Sequence, residues 1–357
     1  MKKLHKKHQN WLLAKSKKEL RRRHKRNRKK NVDNHKDFSS VSSANILNSN
    51  NSANKRHSYI IAPSKLSLIN NPLETLGFFQ SVKACIKATV LNGSLFFDLS
   101  VVEEVTVDAI MYLIAFIKNT KRLKALNIQC AGNFPSNLQS RHIFETCGFY
   151  KYVSVKSRFS YPKQYDNIKI TRGREANPVL AGEICSFVHQ HSKLKRIDTK
   201  FLYTMILELM TNTKQHAYND SISMDNNWYV YVENLDNYLS FVFLDTGEGI
   251  PNTIRTKGVT EKIINAFNFA DASFIASAFK GDVLRSETKL DYRGRGLPEI
   301  YKRISNKYID DFMVISGFGK CIFKSNGEIL ETNLDNDLLG TMFCWKINKE
   351  ANDELNN

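Results

Sequence analysis

Phe243-Leu244-Asp245-Thr246-Gly247-Glu248-Gly249-Ile250-Pro251 is the stretch on which the reading of this chain turns. The run before it, Tyr238 to Leu244, is apolar and reads as a buried strand, so Asp245 stands at a strand end with a fixed position. A carboxylate held there can accept a hydrogen bond from an exocyclic amine such as that of adenine. Gly247 and Gly249 let the backbone turn sharply and come close to a flat base. A plain strand-to-loop turn, with an Asp cap and two turn glycines, has the same composition.

Upstream, Trp228–Glu233 and Tyr238–Leu244 read as a hairpin. Before them a helix is expected from about Asp198 to Asn219. Phe201, Met205 and Leu209 recur at four-residue spacing, as do Leu202, Ile206 and Met210, which gives one apolar face. Glu208 and Asn212 lie one turn apart on the other side. A carboxylate beside a neutral amide oxygen suits Mg²⁺ chemistry, because the amide oxygen can ligate the metal at low net charge. The carboxylate of Glu208 can take a proton from a water lined up on a γ-phosphate, a catalytic role. An ordinary solvated helix face also looks like this.

Downstream, Arg293-Gly294-Arg295-Gly296-Leu297-Pro298-Glu299-Ile300 opens a helix expected to run from Pro298 to Asn306. Glycines before a helix start leave backbone N–H groups open to phosphate oxygens. Arg293 and Arg295 would add charge there. A loop followed by proline in the first turn is the alternative. Leu339-Gly340-Thr341 then precedes the last strand, Thr341–Asn348, and Phe312–Ser316 and Cys321–Lys324 are expected as two further strands.

Taken in order, these motifs resemble the GHKL ATPase superfamily of gyrases, histidine kinases, mismatch-repair proteins and heat-shock chaperones, over residues 166–350. The family's N box, E-x-x-x-N-x-x-x-H-A, is matched by Glu208, Asn212, His216 and Ala217. Its first glycine box, D-x-G-x-G-I, is matched by Asp245, Gly247, Gly249 and Ile250. Its second, G-x-G-L, is matched by Gly294, Gly296 and Leu297, and its final G-T by Gly340 and Thr341. The resemblance implies a Bergerat-fold α/β sandwich with ATP in the cleft, Asn212 on Mg²⁺ and Asp245 on adenine. The cofactor-binding set it implies is Asn212, His216, Asp245, Gly247, Gly249, Ile250, Arg293, Gly294, Arg295, Gly296, Leu297 and Thr341. Within the superfamily the chain is most similar to the stand-alone anti-sigma-factor-like serine kinases. It has no long dimerisation helix with a phosphoacceptor histidine, which argues against a self-phosphorylating sensor. Residues 251–293 are expected to form a long lid, helical over Lys262–Phe279, which departs from the compact anti-sigma kinases.

Residues 58–155 alternate strand and helix, which argues for a small α/β domain. Strands are expected at Tyr59–Pro63, Ser94–Leu99 and Leu126–Cys130. Helices are expected at Thr75–Leu91, Ala109–Asn119 and Leu138–Cys147. The run Leu95-Phe96-Phe97-Asp98-Leu99-Ser100, followed by a helix, resembles a STAS domain, the fold of anti-sigma-factor antagonists. Other small α/β domains share the pattern. The family's phosphorylated serine falls at about Val107, which implies that no switching phosphorylation occurs there; Thr106 is the nearest hydroxyl. The fold class expected for the whole chain is therefore two-domain α/β.

The net charge of +18 is concentrated at one end. Residues 1–30 hold 15 Lys or Arg against the single acid Glu19, and the rest of the chain is nearly balanced. Residues 31–57 are rich in Asn and Ser and read as a linker. Six scattered cysteines show no zinc spacing, and are expected as small buried residues in a reducing cytosol. His189 and His191 read as ordinary polar residues. No apolar run approaches the roughly 20 residues that span a bilayer, so a cytoplasmic protein is expected.

Two functions follow as expectations. One is an ATP-binding regulatory protein, an ATPase switch or a serine/threonine protein kinase, whose partner is another protein or its own STAS-like domain. The other is a nucleic-acid-associated protein, held by residues 1–30, in which ATP binding is structural or gating.

Overall fold

Along Trp228–Asn234, the side chains of Trp228, Val230 and Val232 enter one apolar core while Tyr229 and Tyr231 enter another. Successive strand residues point to opposite faces, so a strand buried on both sides must lie in a sheet covered on both sides. That sheet organises the protein. The computed structural model describes residues 55–153, 166–195, 199–213, 224–256, 270–281, 296–304 and 309–350. The basic run 1–30 and most of the expected linker lie outside them.

The chain is mixed α/β, with parallel and antiparallel sheets. The upstream half carries a parallel three-stranded sheet, β1 (Lys55–Ile61), β3 (Thr89–Asp98) and β5 (Gln129–Gly132), in the order β1-β3-β5. A small parallel pair, β2 (Lys65–Leu66) and β4 (Glu104–Val105), lies beside it. Helix α1 (Pro72–Ala88) connects β2 to β3, and α2 (Val107–Asn119), α3 (Lys121–Ala125) and α4 (Leu138–Thr146) follow. Pro72 opens α1, where a missing N–H costs nothing. Helix α1 stops at Ala88, short of the expected Leu91, because β-branched Thr89 and Val90 start β3. Thr106 precedes α2 in extended conformation, and its hydroxyl, rather than capping the helix, donates to Ser67 Oγ at 2.8 Å.

The larger sheet is antiparallel, in the order β6 (Asn167–Gly173), β7 (Trp228–Asn234), β8 (Tyr238–Asp245), β10 (Ile329–Asn348), β9 (Ile309–Phe323). Helices α5 (Pro178–His191), α6 (Lys200–Asn212), α7 (Ile250–Thr256), α8 (Asp271–Lys280) and α9 (Gly296–Ile304) share the core on one face of it. The two short strands expected at 312–316 and 321–324 are one continuous strand, β9. Its partner β10 extends back to Ile329 through the polar run Glu331–Asp337, which periodicity did not mark as strand.

The other face of this sheet is covered by the upstream half. Tyr229, Tyr231, Val242, Leu244, Met313, Ile315, Met342 and Cys344 share one core with residues of α1, α2 and β3. Polar contacts cross the same boundary. Lys83 Nζ pairs with Asp337 at 2.8 Å, Gln80 donates to the same carboxylate, and Leu339 N donates to Tyr112 Oη at 2.7 Å. Both sheets belong to one compact unit, Ser52–Asn357.

Candidate functional site

Strand β8 ends at Asp245, paired with Trp228 of β7 on one side and Thr341 of β10 on the other. Its position is thus set by two ladders. Asp245 Oδ1 accepts from Gly247 N at 2.9 Å, which folds the loop back over the strand end. The carboxyl keeps some surface open but lies among densely packed atoms. Burial pushes it from 3.8 up to about 6, opposed by the bonds from Gly247 N and the Thr213 hydroxyl. Carboxyls pushed up by burial are common at functional positions.

The first glycine box is locked to the end of β10 through a residue that the sequence reading passed over. Ser316 of β9 is fully buried. Its Oγ accepts from Ile250 N at 3.0 Å and donates to Gly340 O at 2.8 Å. The same oxygen meets Thr341 Oγ1 at 2.9 Å. Thr341 is buried and its hydroxyl is engaged in this node. Gly249 has φ +81°, and a Cβ there would stand 2.8 Å from Ser316 Oγ and 2.9 Å from Gly340 O. Gly340 has φ +94°, and a Cβ there would run into the carbonyl of Asp245. Only glycine fits either position. A lone serine in the apolar run Met313-Val314-Ile315 was a usable signal, since a buried hydroxyl needs partners.

Helix α6 places the other candidates. Phe201, Leu202, Met205, Ile206, Leu209 and Met210 are buried, Glu208 is half-buried and Asn212 is exposed. Thr213, the next residue, ends the helix; its hydroxyl donates to Leu209 O at 3.3 Å and counters the rise that burial gives the Asp245 carboxyl. The start of α9 lies against the same helix. A Cβ on Gly296 would stand 2.8 Å from Glu208 Oε2 and 3.3 Å from Asn212 Nδ2. Leu297 packs partly buried against the helix-side core. Residues of two motifs far apart in sequence therefore meet, Glu208 and Asn212 of one and Gly296 of the other, on a helix whose end at Thr213 lies near Asp245. His216, Ala217, Arg293, Gly294 and Arg295 lie outside the described residues.

The expected lid needs correction in its described part. A single helix over Lys262–Phe279 does not form, because Ala270 is extended (φ −77°, ψ 133°) and α8 begins only at Asp271. Helix α8 is core, with Phe274 and Phe279 fully buried against β9. Asp271 is used as a brace. It pairs with Arg255 of α7 and accepts from Phe318 N at 2.8 Å.

Behind Asp245 the site meets the upstream half. Thr246 Oγ1 donates to Asp225 O at 2.7 Å and accepts from Asn227 N at 3.0 Å and Asn119 Nδ2 at 3.3 Å. No sequence pattern pointed to Asn119 or Thr246.

Among the described residues, no three His, Cys, Asp or Glu side chains gather as a metal site. The six cysteines are free thiols, and burial pushes Cys147 and Cys321 up to about 12. No described helix is long and apolar enough to cross a membrane. No family model matches the chain, and no curated protein sequence matches it.

Proposed function

We propose that residues 166–350 form a Bergerat-type ATP-binding domain of the GHKL superfamily, preceded by a STAS-like module at 58–155. In this reading the chain is a cytoplasmic ATP-binding regulatory protein, an ATPase switch or a serine/threonine protein kinase. The supporting observation is the meeting of Glu208 and Asn212, on one helix, with Gly296 at the start of another.

The donor set fits Mg-ATP. The Asp245 carboxylate would accept from the 6-amino group of adenine, and Gly247 and Gly249 would let the base lie close. The backbone N–H groups at the start of α9 would face phosphate oxygens. The Asn212 amide oxygen would ligate Mg²⁺. When bound, Mg-ATP supplies a transferable γ-phosphoryl group. Glu208, half-buried beside the α9 start, would hold the proton of an attacking water or hydroxyl. The upstream module is the nearest candidate partner, since covalent linkage raises its effective concentration to roughly millimolar.

The test uses the full chain with γ-labelled ATP. Label appearing as free phosphate identifies an ATPase, label in protein a kinase, and label retained on bound ATP a binding switch. Asp245→Asn should abolish binding. Absence of wild-type binding at millimolar Mg-ATP overturns the reading.

The charge of residues 1–30 favours a second reading, a nucleic-acid-associated protein in which ATP binding is structural or gating. If the run neutralises about eight phosphates, log K falls with log salt at a slope of about −7 on DNA. Unchanged DNA and RNA retention after deleting residues 1–30 rejects it.

A further inference from the structure

We infer that Asn119, in the upstream half, is a positioning residue of the nucleotide site that sets its preference for a 6-amino over a 6-oxo purine. The inference rests on the function proposed above.

Asn119 is the last residue of α2 and is fully buried. A buried amide is costly unless its donors and acceptor are used, and here its hydrogen bonds go to the sheet that carries Asp245. Its Oδ1 accepts from Tyr229 Oη at 3.1 Å, and its Nδ2 donates to Thr246 Oγ1 at 3.3 Å. Its backbone carbonyl accepts from Asp225 N at 2.9 Å, and Thr120 forms a β-bridge with Met224. The segment Met224–Asn227 is therefore clamped between the end of α2 and Thr246.

Thr246 is the first residue beyond β8, where the ladders from Trp228 and Thr341 end. Past that point, the hydrogen bonds that fix its backbone N–H and hydroxyl go to Asp225, Asn227 and Asn119. The ladders set the backbone of Asp245, and Thr246 sets the loop beyond it, so a shift at Thr246 moves the Gly247 N–H that orients the Asp245 carboxyl. A hydrogen bond loses most of its strength once donor and acceptor separate beyond about 3.5 Å. Asp245 can discriminate only while held within that range. An adenine 6-amino group donates to the carboxylate, whereas a hypoxanthine 6-oxo group presents an acceptor to it. Asn119 is fully buried with its side chain bonded to Tyr229 and Thr246, so it acts on the base through Thr246.

The experiment measures Kd of the full chain for Mg-ATP and Mg-ITP. Wild type should prefer ATP by about tenfold or more, the worth of a hydrogen bond to a charged group. Asn119→Ala should bring the two affinities within about threefold while leaving ITP binding unchanged. Tyr229→Phe, which frees the Asn119 amide and leaves Thr246 intact, should lower the ratio in the same direction by less. A merely structural role would lower Tm and leave the ratio alone. An Asn119→Ala protein that keeps the wild-type ratio overturns the inference, as does an unchanged ratio in Tyr229→Phe should Asn119→Ala fail to fold. In both cases loss of ATP binding in Asp245→Asn leaves the reading of the site standing. If wild type binds neither nucleotide, or Asp245→Asn binds ATP normally, that reading fails and the inference with it.

Discussion

The two faces of the five-stranded sheet follow the same alternation and end up with different neighbours. One face is covered by helices drawn from residues 178–304, interleaved in sequence with the strands themselves. The other is covered by α1 and α2, from a half of the chain that the sequence presents as a separate module. The helix side gathers the candidate site: Glu208, Asn212, Gly296 and the Asp245 loop. The back side offers no such cluster, yet it supplies the bonds that hold the site's edge, from Tyr112 to Leu339 and from Asn119 to Thr246. A site can thus be assembled on one face of a sheet and braced from the other.

The largest effect expected is on residues 160–357 expressed alone. Stripping the upstream half exposes Tyr229, Tyr231, Val242, Leu244, Met313 and Ile315 together. At about 1.5–3 kcal/mol per large apolar side chain, the loss is on the order of 10 kcal/mol. The fragment should be aggregated or unfolded by ultracentrifugation and circular dichroism. A folded monomer would break the comparison, because the back face would then be content in water.

Next come paired truncations, one per face. Phe116 stacks on Phe79 at 5.3 Å, and Phe241 on Trp345 at 4.9 Å. Phe116→Ala and Phe241→Ala should each cost about 3–5 kcal/mol. In urea each variant should unfold in a single transition seen alike by fluorescence and circular dichroism. Separate transitions for the two halves would show that the shared core does not couple them.

A pH effect of about 3 kcal/mol is expected at Asp245. A carboxyl raised from 3.8 to about 6 keeps its proton longer in the folded than in the unfolded chain. Its contribution therefore falls as pH rises through that window, and the full penalty of about 3 kcal/mol is present above pH 6. Asp245→Asn should be more stable than wild type at pH 8 and indistinguishable at pH 3.5. Equal stability at pH 8 would mean that the carboxyl is not strained by burial. Nucleotide affinity in the wild type should weaken as pH drops below about 6, since the protonated acid accepts poorly from an amine.

The smallest effect concerns the rim. Lys83 is almost wholly buried and pairs with the partly exposed Asp337. Asp337→Ala should cost about 2 kcal/mol, less than the loss of a fully buried partner. A change under about 0.5 kcal/mol in a denaturant titration would mark the pair as incidental to docking.

Several elements were legible in the sequence because their signals are local. Pro178 in the first turn of α5 is a local signal for a helix start, and Asn177 caps that helix, accepting from Leu180 N at 3.0 Å. The four-residue spacing from Phe201 to Met210 announced α6 and its buried side. Tyr238 to Leu244 announced β8 and fixed Asp245 at its end. Where the local signal weakened, the reading slipped. The strands expected apart at Phe312–Ser316 and Cys321–Lys324 are joined in β9, and the polar run Glu331–Asp337 hid the first half of β10. Half-exposed strand residues have no apolar period to read.

The sequence by itself determined the elements whose signal is local, their apolar sides and the identity of the chemical groups at their ends. It could not say that Ser316 would tie Ile250 to Gly340, or that Asn119 would reach Thr246 across 127 positions. Those partners are chosen by which surfaces bury each other. A buried hydroxyl or amide bonds whatever polar atom the packing brings within reach, and that atom can come from any part of the chain. Tertiary structure alone decided that the apolar back of the sheet would be closed by the upstream half, and so that the Asp245 loop would be held from both sides.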